Sequence, residues 1–330
     1  MKPWQVVGIG NALVDVLAQS SDGELAALGV EKGIMQLIGT ERAVALYDRM
    51  GPAREISGGS AANTIAGIAA LGGRTAYVGK VKDDQLGRIF CHDLRAQGAD
   101  YTTPLADSGL SDETGRCMVL VTPDGERSMS TYLGVSEFLG PDDIVEDEMA
   151  GAEWIFLEGY RFDGPESHAA FAKAITATRA AGGKVAITLS DPFCVERHRD
   201  AFLAMIRADV DLLVANEHEL KSLYRTDDLG RAMDRAEAEV PITACTVGAG
   251  GAHIVTRGTR VHAPAVATRV VDATGAGDLF AAGLLSGIAS GRDWPTALRM
   301  GNLAAAEVIS HFGARPEADL RALFASEGLV

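Results

Sequence analysis

The chain has 330 residues, 47% of them hydrophobic, and a formal net charge of -15 at pH 7 with an isoelectric point near 4.9. That balance argues against a nucleic-acid surface, since no basic run occurs, but not against a phosphorylated small molecule, because backbone amides and bound cations supply local positive potential. Four cysteines, Cys91, Cys117, Cys194 and Cys245, are scattered without CxxC spacing, so neither a zinc site nor a disulfide framework is expected; no signal-length or bilayer-length apolar run occurs, which points to a cytoplasmic protein with no membrane partner.

Val6 to Ile9 reads as a short buried strand that runs into the polar cluster Gly8 to Asn11. "GIMQLI", Gly33 to Ile38, is a further extended stretch, and "GGSAANTIAGIAALGG" turns from glycines into an Ala-rich helix ended by Gly72 and Gly73. "TAYVGKV" is the next strand. In "TGRCMVLVTPDGERSMSTYLG" two β-rich runs flank Pro123-Asp124-Gly125, the signature of a hairpin outside the main sheet. The second half alternates strand and helix through "WIFLEGY", "ESHAAFAKAITATRAAGG", "KVAITLS", "HRDAFLAMIRA", "VDLLVAN", "EHELKSLY" and "PITACTVG". Continuous apolar strands alternating with helices predict a doubly wound α/β domain with a mostly parallel sheet. We expect residues 1–10, 40–113 and 134–330 to form it, and 11–39 with 114–133 to form a small β lid over a site.

The last motif is "VVDATGAGDLFAAGLLSG". Thr268 to Val271 is strand-like, apolar residues then recur at helical spacing, and the chain turns at Ala273 to Gly277. Glycines at a helix start let an anion approach unpaired N–H groups at the positive end of the peptide dipole. Taken alone, the segment is also a tight turn in which Asp278 complements the dipole. Ligands of open α/β sheets bind beyond the carboxyl ends of the strands. The clusters Gly8–Asn11, Gly58–Asn63, Glu158, Asn216–Glu219, Gly248–Gly251 and Gly275–Asp278 all lie there. "GIGN" lacks the third glycine and following helix of a dinucleotide loop.

"DATGAGDLFAAGLL" and "GGSAANTIAGIAALGG...YVGKVKDDQLG" resemble the two signatures of the ribokinase-like (phosphofructokinase-B type) sugar and nucleoside kinases, and most of all the adenosine kinases. The resemblance runs nearly end to end and implies a Rossmann-like domain with a β lid. It makes Asp278 the general base and the amides of Gly275, Ala276 and Gly277 the anion hole, with Arg127 reaching phosphate from the lid. Asn216 and Glu219 match N-x-x-E, which organises Mg²⁺ and phosphate through water. Thr246, Gly248 and Gly251 would lie along ATP, and Asn302 beside adenine. On the acceptor side the resemblance places Asn11, Asp15, Gly58, Gly59 and Asn63 around a ribose. Gln36, Cys117, Leu133 and Tyr160 would lie near the base. Glu158 stands where adenosine kinases often carry a small residue and sugar kinases a hydroxyl-binding acid, which leaves inosine, guanosine or a free sugar open beside adenosine. Asp272, Thr274 and Gly313 match positions that hold K⁺ in relatives; a plain turn is the other reading of Asp272. The implied activity is transfer of the ATP γ-phosphate to the 5'-hydroxyl of a purine nucleoside by a monomer or homodimer. The competing readings are a ribokinase- or fructokinase-like sugar kinase and a nucleoside-binding regulatory module without turnover.

Overall fold

In the strand Trp4–Ile9, Val6 joins one apolar cluster and its neighbour Val7 another, and Ile155 and Phe156 divide in the same way. Adjacent side chains of a strand point to opposite faces, so such strands must be covered on both sides. The computed structural model, which describes residues 2–329, places nine strands in one sheet. Their order is Thr259–Ala263, Ala252–Thr256, Ile242–Thr246, Leu212–Asn216, Lys184–Thr188, Ala152–Glu158, Trp4–Ile9, Thr75–Val78 and Asp100–Tyr101. The first two run antiparallel to their neighbours and the rest are parallel. This is the ribokinase-like α/β fold. No helix among the described residues is long and apolar enough to cross a membrane.

A second sheet holds five strands, in the order Met35–Leu37, Arg127–Gly134, Thr114–Val121, Leu13–Gln19 and Arg54–Gly58. The hairpin and the stretch near Gly33 to Ile38 thus do meet, with Met35 to Leu37 pairing Met129 to Thr131. The outer face of this sheet packs Val16, Met118, Leu120 and Tyr132 on Leu25, Leu28, Ala43 and Leu46 from the helices Asp22–Leu28 and Thr40–Tyr47. Its inner face turns Asp15, Cys117, Val119 and Thr131 to a cleft above the large sheet. The expected boundary at residue 40 is therefore corrected. Thr40–Tyr47 and Arg54–Gly58 belong with the small sheet, because the strand partner of Arg54–Gly58 is Leu13–Gln19.

The strand expected at Thr268 to Val271 does not form. Thr259–Ala263 already occupies that edge of the sheet, and with no pairing strand beside it the segment is an exposed loop, held at Val271 N–H by Ile309 C=O at 2.8 Å. Two helices start beside the cleft, Ser60–Ala70 and Ala276–Ala289. They cross closely at Gly67, where a Cβ would lie 2.7 Å from both Ala282 and Leu279 side-chain atoms, so both N-termini reach the same space.

Candidate active site

The helix starts differ in what meets their free amides. At Ser60–Ala70 the Ala61 N–H donates to Glu158 Oε2 at 2.8 Å, so a carboxylate from the neighbouring strand end closes it. At Ala276–Ala289 the N-cap is Gly275, at φ 77°, a left-handed conformation that favours glycine. No side chain caps that start, and the first bond into the helix runs from Leu279 N–H to Gly275 C=O at 2.8 Å. Ahead of it Ala276 N–H reaches only Ala273 C=O, at 3.4 Å, and Thr274, Gly275, Ala276, Gly277 and Asp278 line the cleft.

Asp278 is half-buried and held on both oxygens, by Ser60 Oγ at 2.7 Å and Asn63 Nδ2 at 2.8 Å. Burial raises its pKa, while those bonds and the charges of Arg127 and Arg315 hold it down. Asp15, 6% exposed, accepts no hydrogen bond among the described residues and lines the same cleft. Burial pushes it to about 7 against Arg315, with Asp278 adding to the rise. Gly58 leaves room for it, since a Cβ there would sit 2.2 Å from the Asp15 carboxyl carbon. Gly59, Asn63 and Asn11 line the cleft.

Glu158 is held by two backbone amides. It lines the cleft, but Oε1 takes Asn11 N–H at 3.2 Å and Oε2 the Ala61 amide, and burial raises it to about 7. Gln36 is corrected. Its Nε2 donates to Ser130 Oγ at 3.3 Å, and strand alternation gives the cleft its neighbours Met35 and Leu37 instead. With Cys117, Val119, Met129, Leu133 and Tyr160 these form an apolar wall. Burial drives the Cys117 thiol to about 12, which keeps it a hydrophobe. Tyr160 donates from its hydroxyl to Ser190 C=O at 3.3 Å.

Asn216 and Glu219 line the far end of the cleft and close on each other: Asn216 N–H and Nδ2 donate to Glu219 at 2.9 and 2.6 Å, and Glu219 N–H returns to Asn216 Oδ1 at 2.9 Å. Burial raises Glu219 to about 7. Thr246 pairs in register with Asn216, so Thr246 and Gly248 continue this edge. Gly251 packs so tightly on Ala263 C=O that a Cβ would lie 2.1 Å from it. Asn302 Nδ2 donates to Ala263 C=O and Pro264 C=O at 3.1 and 2.9 Å, so it clamps that wall. Asp272 accepts from Thr274 N–H and Oγ1 and from Gly313 N–H at 2.6–2.9 Å. Those three bonds are what a turn requires. Among the described residues no cluster of three His, Cys, Asp or Glu side chains could hold a metal.

Among the described residues Arg127 is the only cation lining the cleft, against Asp15, Glu158, Asp163, Glu219 and Asp278. A polyphosphate entering so acidic a space must bring cations with it, which suits a hard divalent ion carried by the nucleotide. Sequence reasoning missed Ser60, although its spacing from Asn63 puts both on one turn of helix. It also missed Asp163, held by Arg197 and His198 at 2.7 Å each. Arg315, which ties Ser57 C=O to Ala62 C=O at 3.1 and 2.6 Å, gave no sequence signal either.

An acid beside an uncapped helix start, across from a second and unpaired acid, belongs with the α/β kinases of small hydroxylated molecules. Residues 33–320 match the pfkB family carbohydrate kinase, and the chain belongs to that family. It is similar over its whole length to a probable sugar kinase protein from Rhizobium etli CFN 42, at 44% identity, TM-score 0.97 and 100% of both chains. The adenosine kinase from Sinorhizobium meliloti is 46% identical with a TM-score of 0.95, over 98% of this chain and 99% of that one. An ATP-dependent ribose-1-phosphate kinase of Halopiger xanaduensis is 34% identical, over 83% of this chain and 88% of that protein.

Proposed function

We propose that the protein is an ATP-dependent nucleoside kinase that phosphorylates the 5'-hydroxyl of a purine nucleoside, with adenosine as the preferred acceptor. The observation that carries the choice is the apolar wall of Met35, Leu37, Cys117, Val119, Met129, Leu133 and Tyr160 facing the polar floor of Asn11 and Asp15. A base buries apolar surface on such a wall, whereas a free sugar would leave hydroxyls against it without partners. The 46% identity to an adenosine kinase supports the same reading.

In this reading Asp15 accepts hydrogen bonds from ribose hydroxyls. Asp278, turned toward the 5'-hydroxyl by Ser60 and Asn63, takes its proton as the new O–P bond forms. Its raised proton affinity favours that transfer near neutral pH. The amides of Gly275, Ala276 and Gly277 meet charge on the transferred group, and Arg127 adds a cation from the small sheet. ATP with Mg²⁺, when bound, supplies the phosphoryl group and neutralises much of its charge; Asn216, Glu219, Thr246 and Gly248 would hold them. Release of ADP from Mg-ATP, measured with adenosine, inosine, guanosine, cytidine, ribose, ribose 1-phosphate and fructose, tests the proposal. Fastest turnover on adenosine is expected, and activity confined to the sugars or the sugar phosphate refutes it.

A further inference from the structure

Arg161 is 1% exposed, in the short 3-10 helical turn Gly159–Asp163 that follows the strand Ala152–Glu158. A buried guanidinium is costly unless its N–H groups are matched. No carboxylate lies within ion-pair distance of it among the described residues; oxygens of other groups take its place. Nη1 donates to Asn11 Oδ1 at 3.0 Å and Ser136 C=O at 2.6 Å, and Nη2 to Leu139 C=O at 2.8 Å.

The consequence falls on Asn11. An amide side chain has two ends of the same shape and opposite polarity, and a guanidinium only donates, so the oxygen must face Arg161. Ser136 Oγ donates to that oxygen too, at 3.0 Å. The backbone of Asn11 is equally committed, its N–H to Glu158 and its C=O to the Tyr77 hydroxyl at 3.0 Å. Nδ2 alone has no partner among the described residues, and Asn11 lines the cleft opposite the unpaired Asp15. A hydroxyl is both donor and acceptor, so the pair fits it: Asp15 accepts and Asn11 donates. Were the amide reversed, two acceptors would face the ligand.

We propose that Arg161 is a positioning residue that sets the polarity of the acceptor site by holding Asn11 with its amide nitrogen toward the cleft; the inference rests on reading that cleft as the acceptor site. Its grip on Ser136 and Leu139, just after the strand Arg127–Gly134, also fixes where the small sheet rejoins the large domain.

Steady-state kinetics on the full chain with Mg-ATP and adenosine test it. Asn11→Ala is expected to raise the adenosine KM by roughly 10- to 100-fold, as loss of a ground-state hydrogen bond does. Arg161→Lys should raise the same KM by at least about fivefold with the ATP KM unchanged, and should add less than about twofold in the Asn11→Ala background, because the two act as one unit. Effects that multiply in the double variant, or an equal rise in the ATP KM, overturn the role of Arg161. No effect of Asn11→Ala removes the acceptor-site reading and the inference with it. Should Arg161→Lys fail to fold, Asn11→Asp gives a second test. Arg161 would hold one carboxylate oxygen and leave the other facing the cleft, so preference should move toward the 2'- or 3'-amino-deoxy analogue of adenosine by roughly tenfold. An unchanged preference refutes the proposal.

Discussion

Asp15→Asn should make the ligand-free protein more stable and a worse catalyst. The carboxyl is 6% exposed, and burial, opposed by Arg315 and reinforced by Asp278 and Asp272, lifts it from an ordinary 3.8 to about 7. At about 1.4 kcal/mol for each tenfold change in proton affinity, ionising it in the fold costs at most about 4 kcal/mol. The carboxylate faces a cleft open to water, so the expected share is about 1–2 kcal/mol. The folded-state pKa lies above the unfolded one, so the fold favours the protonated form. That contribution is complete below about pH 4 and is lost as pH rises to about 7. Asn is neutral throughout, so its advantage should grow between pH 4 and 7 and stay level above. Urea unfolding of both proteins from pH 5 to 8.5 reads this directly, and adenosine kinetics should show a raised KM. A variant no more stable than wild type at pH 8, or a gap independent of pH, would refute the reasoning.

Asp278→Asn should lower kcat by roughly 10²- to 10⁴-fold with little change in calorimetric nucleoside affinity, since a general base acts in the transition state; an unchanged kcat would remove it from that role. Adenosine at saturation should slow amide exchange in Thr114–Val121 and Arg127–Gly134 more than in Ala152–Glu158, because the hairpin stands outside the large sheet and its inner face awaits a ligand. Equal protection with and without ligand would make it a fixed part of the fold. Asp272 spends both oxygens on donors of its own chain, so kcat/KM should be the same in potassium and tetramethylammonium salts of equal ionic strength. Activation by K⁺ that Asp272→Asn abolishes would show a cation site instead.

The large sheet was legible because strands covered on both faces read as unbroken apolar runs, and the hairpin because Pro123-Asp124-Gly125 announces its turn. What depended on remote pairing was not. Arg54–Gly58 joins the small sheet only through its pairing with Leu13–Gln19, and Thr268 to Val271 looks like a strand although it pairs with none. The side on which Gln36 falls is a matter of register: pairing with Ser130 turns it from the cleft and gives that face to Met35 and Leu37. At the site, glycine and carboxylate positions could be read locally, because a helix start is a local object. Arg161 could not, since its partner Asn11 is 150 residues away and nothing in "GYRFD" distinguishes a buried guanidinium from a solvated one.

The small sheet is fully covered on one side and only partly on the other. Its outer face has the helices Asp22–Leu28 and Thr40–Tyr47 as a second layer, while on the inner face Leu17, Val119 and Val121 pack with Ile56, Met129 and Phe312, and Met35 and Leu37 line the cleft beside them. A sheet completes its core only when both apolar faces are covered. An aromatic ligand seated there would complete that cover, an interior residue supplied from solution. Affinity and the order of the small sheet would then be two readings of one packing event, and any change that tightens the empty cleft would be taken from the free energy of binding.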